Sequence, residues 1–182
     1  MTVTVPHLVL RALSFAARHH QHQKRKDGQT PYIAHPARVM TLVSAVFGET
    51  DPEILAAAVL HDTIEDTNAD CDDIIREFGE RVATMVVALT KDKRLAETER
   101  EERYFAQVVA SVPEVKLLKI ADILDNLIDI ETMRIEKQRS SLPKQIAKAR
   151  DALAEFGAEI APRWPRAIEA LREQIAIAES AV

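Results

Sequence analysis

Residues 54–66 of the chain read Ile54-Leu55-Ala56-Ala57-Ala58-Val59-Leu60-His61-Asp62-Thr63-Ile64-Glu65-Asp66. The unbroken apolar run 54–60 predicts a helix that is buried over most of its surface. That helix ends in a histidine, which is followed closely by three acids. Charged side chains are rarely buried unless they are paired or hold a metal, so packing alone does not explain this ending. We therefore expect the end of this helix to be functional.

Two further residues, an isolated His35 upstream and Asp122 downstream, complete a candidate set of metal ligands with His61 and Asp62. Two imidazoles and two carboxylates suit a divalent transition metal such as Mn, Fe or Zn. Such a metal can activate a water molecule for attack on a phosphate. The competing interpretation makes His61 a hydrogen-bonded core residue and the acids an exposed helix end. It is weakened because acids at a helix C-terminus oppose the helix macrodipole.

The spacing of the polar residues suggests how they meet. Side chains four positions apart on a helix lie on one face. If the buried helix continues for another turn, three pairs share this relation: His61 with Glu65, Asp62 with Asp66, and Asp122 with Asn126. With His35 entering from a third element, the arrangement is typical of metal sites in helical bundles, where ligands project from facing helices.

The composition favours one helical domain, which we place at residues 1–182. Hydrophobic residues make up 47% of the chain and aromatic residues 4%, with only 4 glycines. Alanine and leucine outnumber β-branched clusters, which favours helix over sheet. Helices are predicted at 7–23, 36 to about 48, 52–61, 70–79, 81–89, 97–110, 113 past 128, 142–156 and 166 onward. The expected architecture is an all-α bundle of about eight to nine helices with irregular connections.

Several classes of protein are disfavoured. The net charge of −5 argues against broad nucleic-acid binding, although a metal and a local basic cluster can still attract an anionic substrate. The single Cys71 excludes an internal disulfide and a thiolate zinc site. We see no signal peptide and no apolar stretch long enough to cross a membrane, so we expect a cytoplasmic protein that binds neither membranes nor nucleic acid. The sequence does not fix its oligomeric state.

Longer motifs carry a family resemblance. They occur in the order Arg25-Lys26-Asp27-Gly28, Pro31-Tyr32-Ile33-Ala34-His35-Pro36, Leu60-His61-Asp62-Thr63-Ile64-Glu65-Asp66-Thr67, Leu89-Thr90-Lys91 and Lys119-Ile120-Ala121-Asp122-Ile123-Leu124-Asp125-Asn126. The chain resembles the HD superfamily of metal-dependent phosphohydrolases. Within it, the chain is similar to the hydrolase domain of RelA/SpoT proteins, and still more to the stand-alone small alarmone hydrolases related to the metazoan SpoT homologue. The resemblance covers about residues 10–130, with its motifs in 25–126; we expect residues 140–182 to add C-terminal helices that complete the bundle.

The resemblance implies a small-molecule nucleotide substrate and a Mn²⁺-dependent reaction that removes the 3′-pyrophosphate from ppGpp-type nucleotides. By position, the implied metal ligands are His35, His61, Asp62 and Asp122. The implied catalytic acids are Glu65 and Asp66. The implied substrate contacts are Arg25, Lys26 and Asn126, together with Lys93 in the loop where relatives carry positive charge.

The chain departs from the family in two places, and alternatives stay open. The family often has His or Tyr at the position of Asp125, so we expect an altered substrate contact there. The loop after Thr90 turns acidic at 97–102, which favours a weaker phosphate grip. One alternative is an HD phosphohydrolase for another nucleotide such as NADPH; a second is a nucleotide-binding regulatory module without catalysis. Because no synthetase region is visible, we expect a protein that degrades the alarmone and does not make it.

Overall fold

A computed structural model describes residues 7–132 and 140–181, apart from the side chains of residues 131 and 132. Of the predicted domain 1–182, residues 1–6, 133–139 and 182 lie outside this part. The described residues form helices and no β-strand, which confirms the all-α prediction. In chain order the helices are α1 (His7–His19), α2 (Ala34–Thr41), α3 (Pro52–Leu60), α4 (Thr63–Asp66), α5 (Cys71–Phe78), α6 (Glu80–Ala88), α7 (Glu97–Val109), α8 (Pro113–Thr132), α9 (Leu142–Ile160) and α10 (Pro165–Ser180). Apart from the single turn α4, each of these described helices has eight residues or more. The nine longer helices agree with the eight to nine helices expected from the sequence.

Local capping signals explain several helix starts. The Asp51 side chain accepts the backbone N–H of Glu53 at 2.9 Å, directly ahead of the proline that begins α3. Asp70 and Asp73 form a reciprocal capping box at the start of α5. Gly79 follows α5 with a φ of 90°, a conformation that suits glycine, and separates α5 from α6.

Two predicted helix ends are wrong. The first helix ends at His19, so residues 20–23 belong to the following turn. Gly157 does not end α9, which continues to Ile160. Gly157 keeps helical backbone angles and lies buried where α9 meets α10; a Cβ there would lie 3.6 Å from the Ile168 side chain. Because this distance is an ordinary van der Waals contact, the packing does not demand a glycine; Gly157 is a buried helical residue and does not end the helix.

The predicted buried helix is α3, at the centre of the molecule. Its residues Ile54 and 56–60 have no exposed surface, and the helix packs against α1, α2, α6 and α8. Three consecutive alanines let these neighbours approach from several sides. The helix ends at the buried Leu60, so His61, which follows directly, is also buried among the packed helices.

The long helix α8 forms the second axis of the core and packs against α2, α9 and α10. Trp164, between α9 and α10, is buried as a packing anchor, and its indole N–H donates to Glu49 Oε2 at 3.1 Å. A π-helical turn, Leu42–Val46, extends α2. Among the described helices, none combines the length and apolar character that crossing a membrane requires.

Candidate metal centre and active site

Three side chains from two elements converge at the centre of the site. His35 lies in the first turn of α2, whereas His61 and Asp62 follow the end of α3. One ligand atom from each lies within 4.8 Å of the other two. Asp62 Oδ2 is 3.1 Å from His61 Nε2 and 3.5 Å from His35 Nε2. Two ligands about 2.1 Å from a shared ion and at roughly a right angle are about 3 Å apart, so these spacings suit a common metal.

The fourth predicted ligand, Asp122, reaches the same point from α8. Its Oδ1 lies 3.3 Å from His35 Nε2 and 4.0 Å from His61 Nε2. Its Oδ2 accepts the Lys119 ammonium at 2.8 Å. Asn126, one turn along the same face, donates to Asp122 Oδ1 at 2.6 Å. The predicted pairing of Asp122 and Asn126 on one helix face is therefore present.

Hydrogen bonds at the far side of each imidazole fix which nitrogen is available. His61 Nδ1 lies 2.8 Å from the Ala58 carbonyl oxygen, and His35 Nδ1 lies 2.6 Å from Asp125 Oδ2. A carbonyl or carboxylate oxygen only accepts, so both Nδ1 atoms carry the proton. His61 Nε2 is buried and makes no aligned hydrogen bond with any described residue. A buried ring nitrogen without a hydrogen-bond partner is what a histidine offers to a metal, so the site fits a metal ion.

The carboxylates and imidazoles strongly perturb one another. Burial is the largest influence on the pKa of His61 and lowers it, but the Asp62 and Asp122 carboxylates and the Ala58 carbonyl together outweigh burial and raise the pKa to about 9. Burial works against ionisation of Asp62 and Asp122 too, yet the neighbouring cations hold the pKa of both carboxyls well below the ordinary value. The carboxylates therefore stay ionised, and a positive charge between them is stabilised.

The helix α3 ends close to the predicted position around His61 and does not continue for the further turn that was considered. The helix ends at Leu60, residues 61 and 62 form a turn, and α4 begins at Thr63. The pair of Asp62 and Asp66 nevertheless persists: the Asp66 backbone N–H donates to the Asp62 carbonyl oxygen at 2.9 Å. The turn separates the two roles of the segment, since His61 is buried while Glu65 and Asp66 line an adjoining cavity.

That cavity has a volume of about 180 Å³ and is lined almost entirely by polar groups. Its lining residues are Arg25, Tyr32, His35, Asp62, Glu65, Asp66, Leu89, Lys91, Tyr104, Lys119, Asp122 and Asn126. Of the predicted substrate contacts, Arg25 and Asn126 therefore line the cavity, and Lys26 and Lys93 do not. The Lys93 ammonium instead bonds the Glu65 carbonyl and Asp66 Oδ1, both at 2.6 Å.

The two candidate catalytic acids have different surroundings. Glu65 Oε2 accepts the backbone N–H of Lys91 at 2.9 Å, and burial raises the pKa of the Glu65 carboxyl. Asp66 is paired with Lys93, and its Oδ2 lies 3.3 Å from the Tyr32 hydroxyl, which also donates to Asp62 at 2.6 Å. The raised pKa brings Glu65 closer to the proton affinity of a general base at neutral pH.

Among models of protein families, the one described as the HD domain matches residues 12–148 of the chain. The chain belongs to the HD-domain family. Its HD-type order of residues, a histidine, a His-Asp pair and a later aspartate, is the set that converges in the structure.

Individual relatives place this HD-domain protein more narrowly. The guanosine-3′,5′-bis(diphosphate) 3′-pyrophosphohydrolase MESH1 of Homo sapiens is 44% identical over 123 residues, covering 67% of this chain and 69% of the relative. The enzyme of the same activity from Aquifex aeolicus is 42% identical over 143 residues, covering 77% of this chain and 19% of the relative. A solved structure of the metazoan ortholog of SpoT that hydrolyzes ppGpp superposes with a TM-score of 0.83 at 29% identity over 97% of both chains. These matches confirm the predicted resemblance.

The HD fold implies a divalent metal, and the cluster of His35, His61 and Asp62 can hold one. Three further residues line the cavity beside it: Lys91, Tyr104 and Lys119. Lys91 and Lys119 stand in the family motifs but were not predicted as substrate contacts, and Tyr104 was not predicted at all. Both ammonium groups lie over the Tyr104 ring, at 5.2 and 4.8 Å from its centre. Burial lowers the pKa of Lys119, but Asp122 and Tyr104 together outweigh burial and raise it, so Lys119 stays protonated. The basic character of the motifs around Lys91 and Lys119 was the available signal.

In this HD domain Asp125, the position at which we expected an altered substrate contact, does not reach the cavity surface. Asp125 is 2% exposed and does not line the cavity; it faces α2 and bonds His35 and Arg38. The acidic run 97–102 is also partly neutralised, because Glu101 bridges Lys91 at 2.9 Å and Lys148 at 2.8 Å. Burial opposes ionisation of Glu101, but these two lysines lower its pKa to about 2.

Proposed function

We propose that the chain is a metal-dependent hydrolase that removes the 3′-pyrophosphate from guanosine, or adenosine, 3′-diphosphate alarmones, converting ppGpp to GDP and pyrophosphate. One observation carries the proposal: the His35, His61 and Asp62 ligand atoms meet at the edge of a polar cavity that also holds Glu65. The activity named for MESH1, of which this chain covers 69%, supports the same substrate class.

The metal would be held by His35, His61, Asp62 and Asp122. When bound, a divalent ion supplies Lewis-acid chemistry and lowers the pKa of a water molecule. We propose Mn²⁺ as the ion, because mixed imidazole and carboxylate ligands suit it and the family resemblance implies it.

Glu65 would accept the proton of the attacking water. Its Oε2 is held by the Lys91 backbone, and no described residue donates to its Oε1, which is therefore the oxygen placed for the water. Asp66 would hold its neighbours in place, because its carboxylate already bonds Lys93 and approaches the Tyr32 hydroxyl. The raised pKa of Tyr32, caused by burial and by Asp62, excludes a tyrosinate base at neutral pH.

Cations at two sides of the cavity would bind the nucleotide. Lys91 and Lys119, which flank Tyr104, would neutralise the negative charge of the pyrophosphate group. They would also stabilise the charge that develops on the 3′-oxygen when its bond to phosphorus breaks, before that oxygen takes up a proton to become the 3′-hydroxyl of GDP. On the other side, Arg25 and Asn126 would contact the nucleoside portion, since both line the cavity and Arg25 donates to Asn126 Oδ1 at 3.0 Å. Lys26 and Lys93 would contribute at longer range, since neither lines the cavity.

We further propose that residues 1–182 form one hydrolase domain, because α9 and α10 pack along the helix that carries Asp122. The proposed ligand is a small nucleotide, without nucleic-acid or membrane partners. A cytoplasmic location stays a prediction from the sequence.

A nucleotide panel tests the function. Purified protein, treated with a chelator and reloaded with Mn²⁺, is incubated with ppGpp, its adenosine counterpart, NADPH and GTP, and released pyrophosphate and phosphate are measured separately. The proposal expects pyrophosphate from a 3′-diphosphate nucleotide. The same protein carrying Asp122→Ala serves as the control for contaminating activity.

The possible results separate the candidate functions. Release of phosphate from NADPH, without turnover of either 3′-diphosphate, would favour the other HD phosphohydrolase. Tight nucleotide binding without turnover under Mn²⁺, Fe²⁺, Co²⁺ or Zn²⁺ would favour the non-catalytic module.

A further inference from the structure

Asp125 lies behind the metal-facing side of the site, buried between α8 and α2. Its Oδ2 is 2.6 Å from His35 Nδ1. Its Oδ1 accepts Arg38 Nε at 2.6 Å, and its Oδ2 accepts Arg38 Nη2 at 3.0 Å. These contacts join the carboxylate to one histidine and one arginine, both in α2.

The bond to His35 decides which of its nitrogens faces the metal. A carboxylate cannot donate, so the proton of the neutral imidazole lies on Nδ1 and the lone pair lies on Nε2. That Nε2 is the atom 3.3 Å from Asp122 and 3.5 Å from Asp62. Asp125 therefore sets both the tautomer and the ring orientation that metal binding by His35 needs.

Arg38 fixes the carboxylate and extends the connection. Its two bonds hold Asp125 in the fork geometry typical of arginine and carboxylate. Its Nη2 also lies 3.0 Å from Asp129 Oδ1. Asp129 Oδ2 in turn accepts Arg25 Nη2 at 2.7 Å and Arg25 Nε at 3.1 Å. The Arg38 guanidinium thus bonds both Asp125, which holds His35, and Asp129, which holds the proposed substrate contact Arg25.

We propose that Asp125 is a positioning residue for the metal, acting through His35, and that Arg38 holds it in place. The chain would in this way use a buried acid where its relatives often have His or Tyr. The proposal rests on the metal site of the proposed function but not on the identity of the nucleotide.

The test is the substitution Asp125→Asn, which keeps the size of the side chain. An amide must present its NH₂ either to His35 Nδ1, which favours the wrong tautomer, or to Arg38, where two donors meet. The Mn²⁺ dissociation constant, measured by titrating the chelator-treated protein, should rise about 10–100-fold. At saturating Mn²⁺, kcat should recover while KM for the nucleotide stays unchanged.

The matched control is Glu114→Gln, on the same helix. Glu114 pairs with Arg163 at 2.7 Å, away from the site, so its variant should bind Mn²⁺ as the unmodified protein does. Unchanged Mn²⁺ affinity in a folded Asp125→Asn variant would overturn the proposal.

If circular dichroism shows that Asp125→Asn does not fold, Arg38→Gln decides instead. The Arg38 side chain is 40% exposed, so its replacement leaves the core intact. It should weaken Mn²⁺ binding in the same direction but less, and unchanged affinity would overturn the proposal. An unmodified protein that binds Mn²⁺ but hydrolyses no nucleotide would defeat the proposed function and leave this inference standing.

Discussion

Replacing Glu65 by Gln tests the proposed general base with little structural disturbance. The amide keeps an oxygen that can accept the Lys91 backbone N–H, now bonded at 2.9 Å, so the start of the loop after α6 should stay in place. It cannot accept a proton from water. The change therefore removes the proposed chemistry and keeps the local packing.

The expected loss of rate follows from that role. A positioned general base contributes about 10²–10⁴-fold, so kcat should fall by at least about 10²-fold, equivalent to about 2.7 kcal/mol of activation free energy. KM should change little, because a group that acts in the transition state adds little to ground-state binding.

Stability should not fall with the rate. Burial raises the pKa of Glu65 above its unfolded value, so its protonated form is the one that folding favours. The folded state then binds the proton more tightly, and this contribution to stability is present at low pH and is lost as the pH rises through the folded pKa. At neutral pH an uncharged Gln avoids the cost of burying the charge, so Tm should be equal or higher.

The assay is steady-state kinetics at saturating Mn²⁺ between pH 4.5 and 9, beside a thermal melt. In the unmodified protein, kcat should decline on the acid side with a midpoint above that of an ordinary glutamate, and the variant should lack this limb. A kcat within a few-fold of normal, or full recovery on adding more Mn²⁺, would refute the reasoning and make Glu65 a support for the metal ligands.

Three other substitutions probe separate parts of the structure. Asp122→Ala should strip or weaken the metal site, because it removes a charged ligand; elemental analysis showing full metal content would contradict the assignment. Lys91→Gln should raise KM for the nucleotide more than Lys93→Gln, because only Lys91 lines the cavity, and equal KM values would count against that contrast. Leu60→Ala should lower the free energy of unfolding by about 2–5 kcal/mol in a denaturant titration, since Leu60 has no exposed surface.

Signals that are local in the chain were readable from the sequence. The apolar run 54–60 predicts a buried helix whatever surrounds it, and the aspartates at 51 and 70 cap helices through bonds to residues two or three positions away. His61 and Asp62 were identifiable as candidate metal ligands, because charged side chains at the end of a buried segment need a partner or a metal. His35 and Asp122 joined them through the order of the family motifs. The fold class and the family followed from such features.

Contacts between distant residues were decided only by the tertiary structure. Nothing near Asp125 in the sequence indicates that it faces His35, 90 positions away, instead of the substrate. Lys26 and Lys93 are basic and were predicted to contact phosphate. In the folded chain it is Lys91 that lines the cavity, whereas Lys93 bonds Asp66. Which polar side chain lines the cavity depends on how α2, α6 and α8 pack together. The sequence shows only the residue type, which is the same whether the side chain binds a ligand, a metal or a neighbouring side chain.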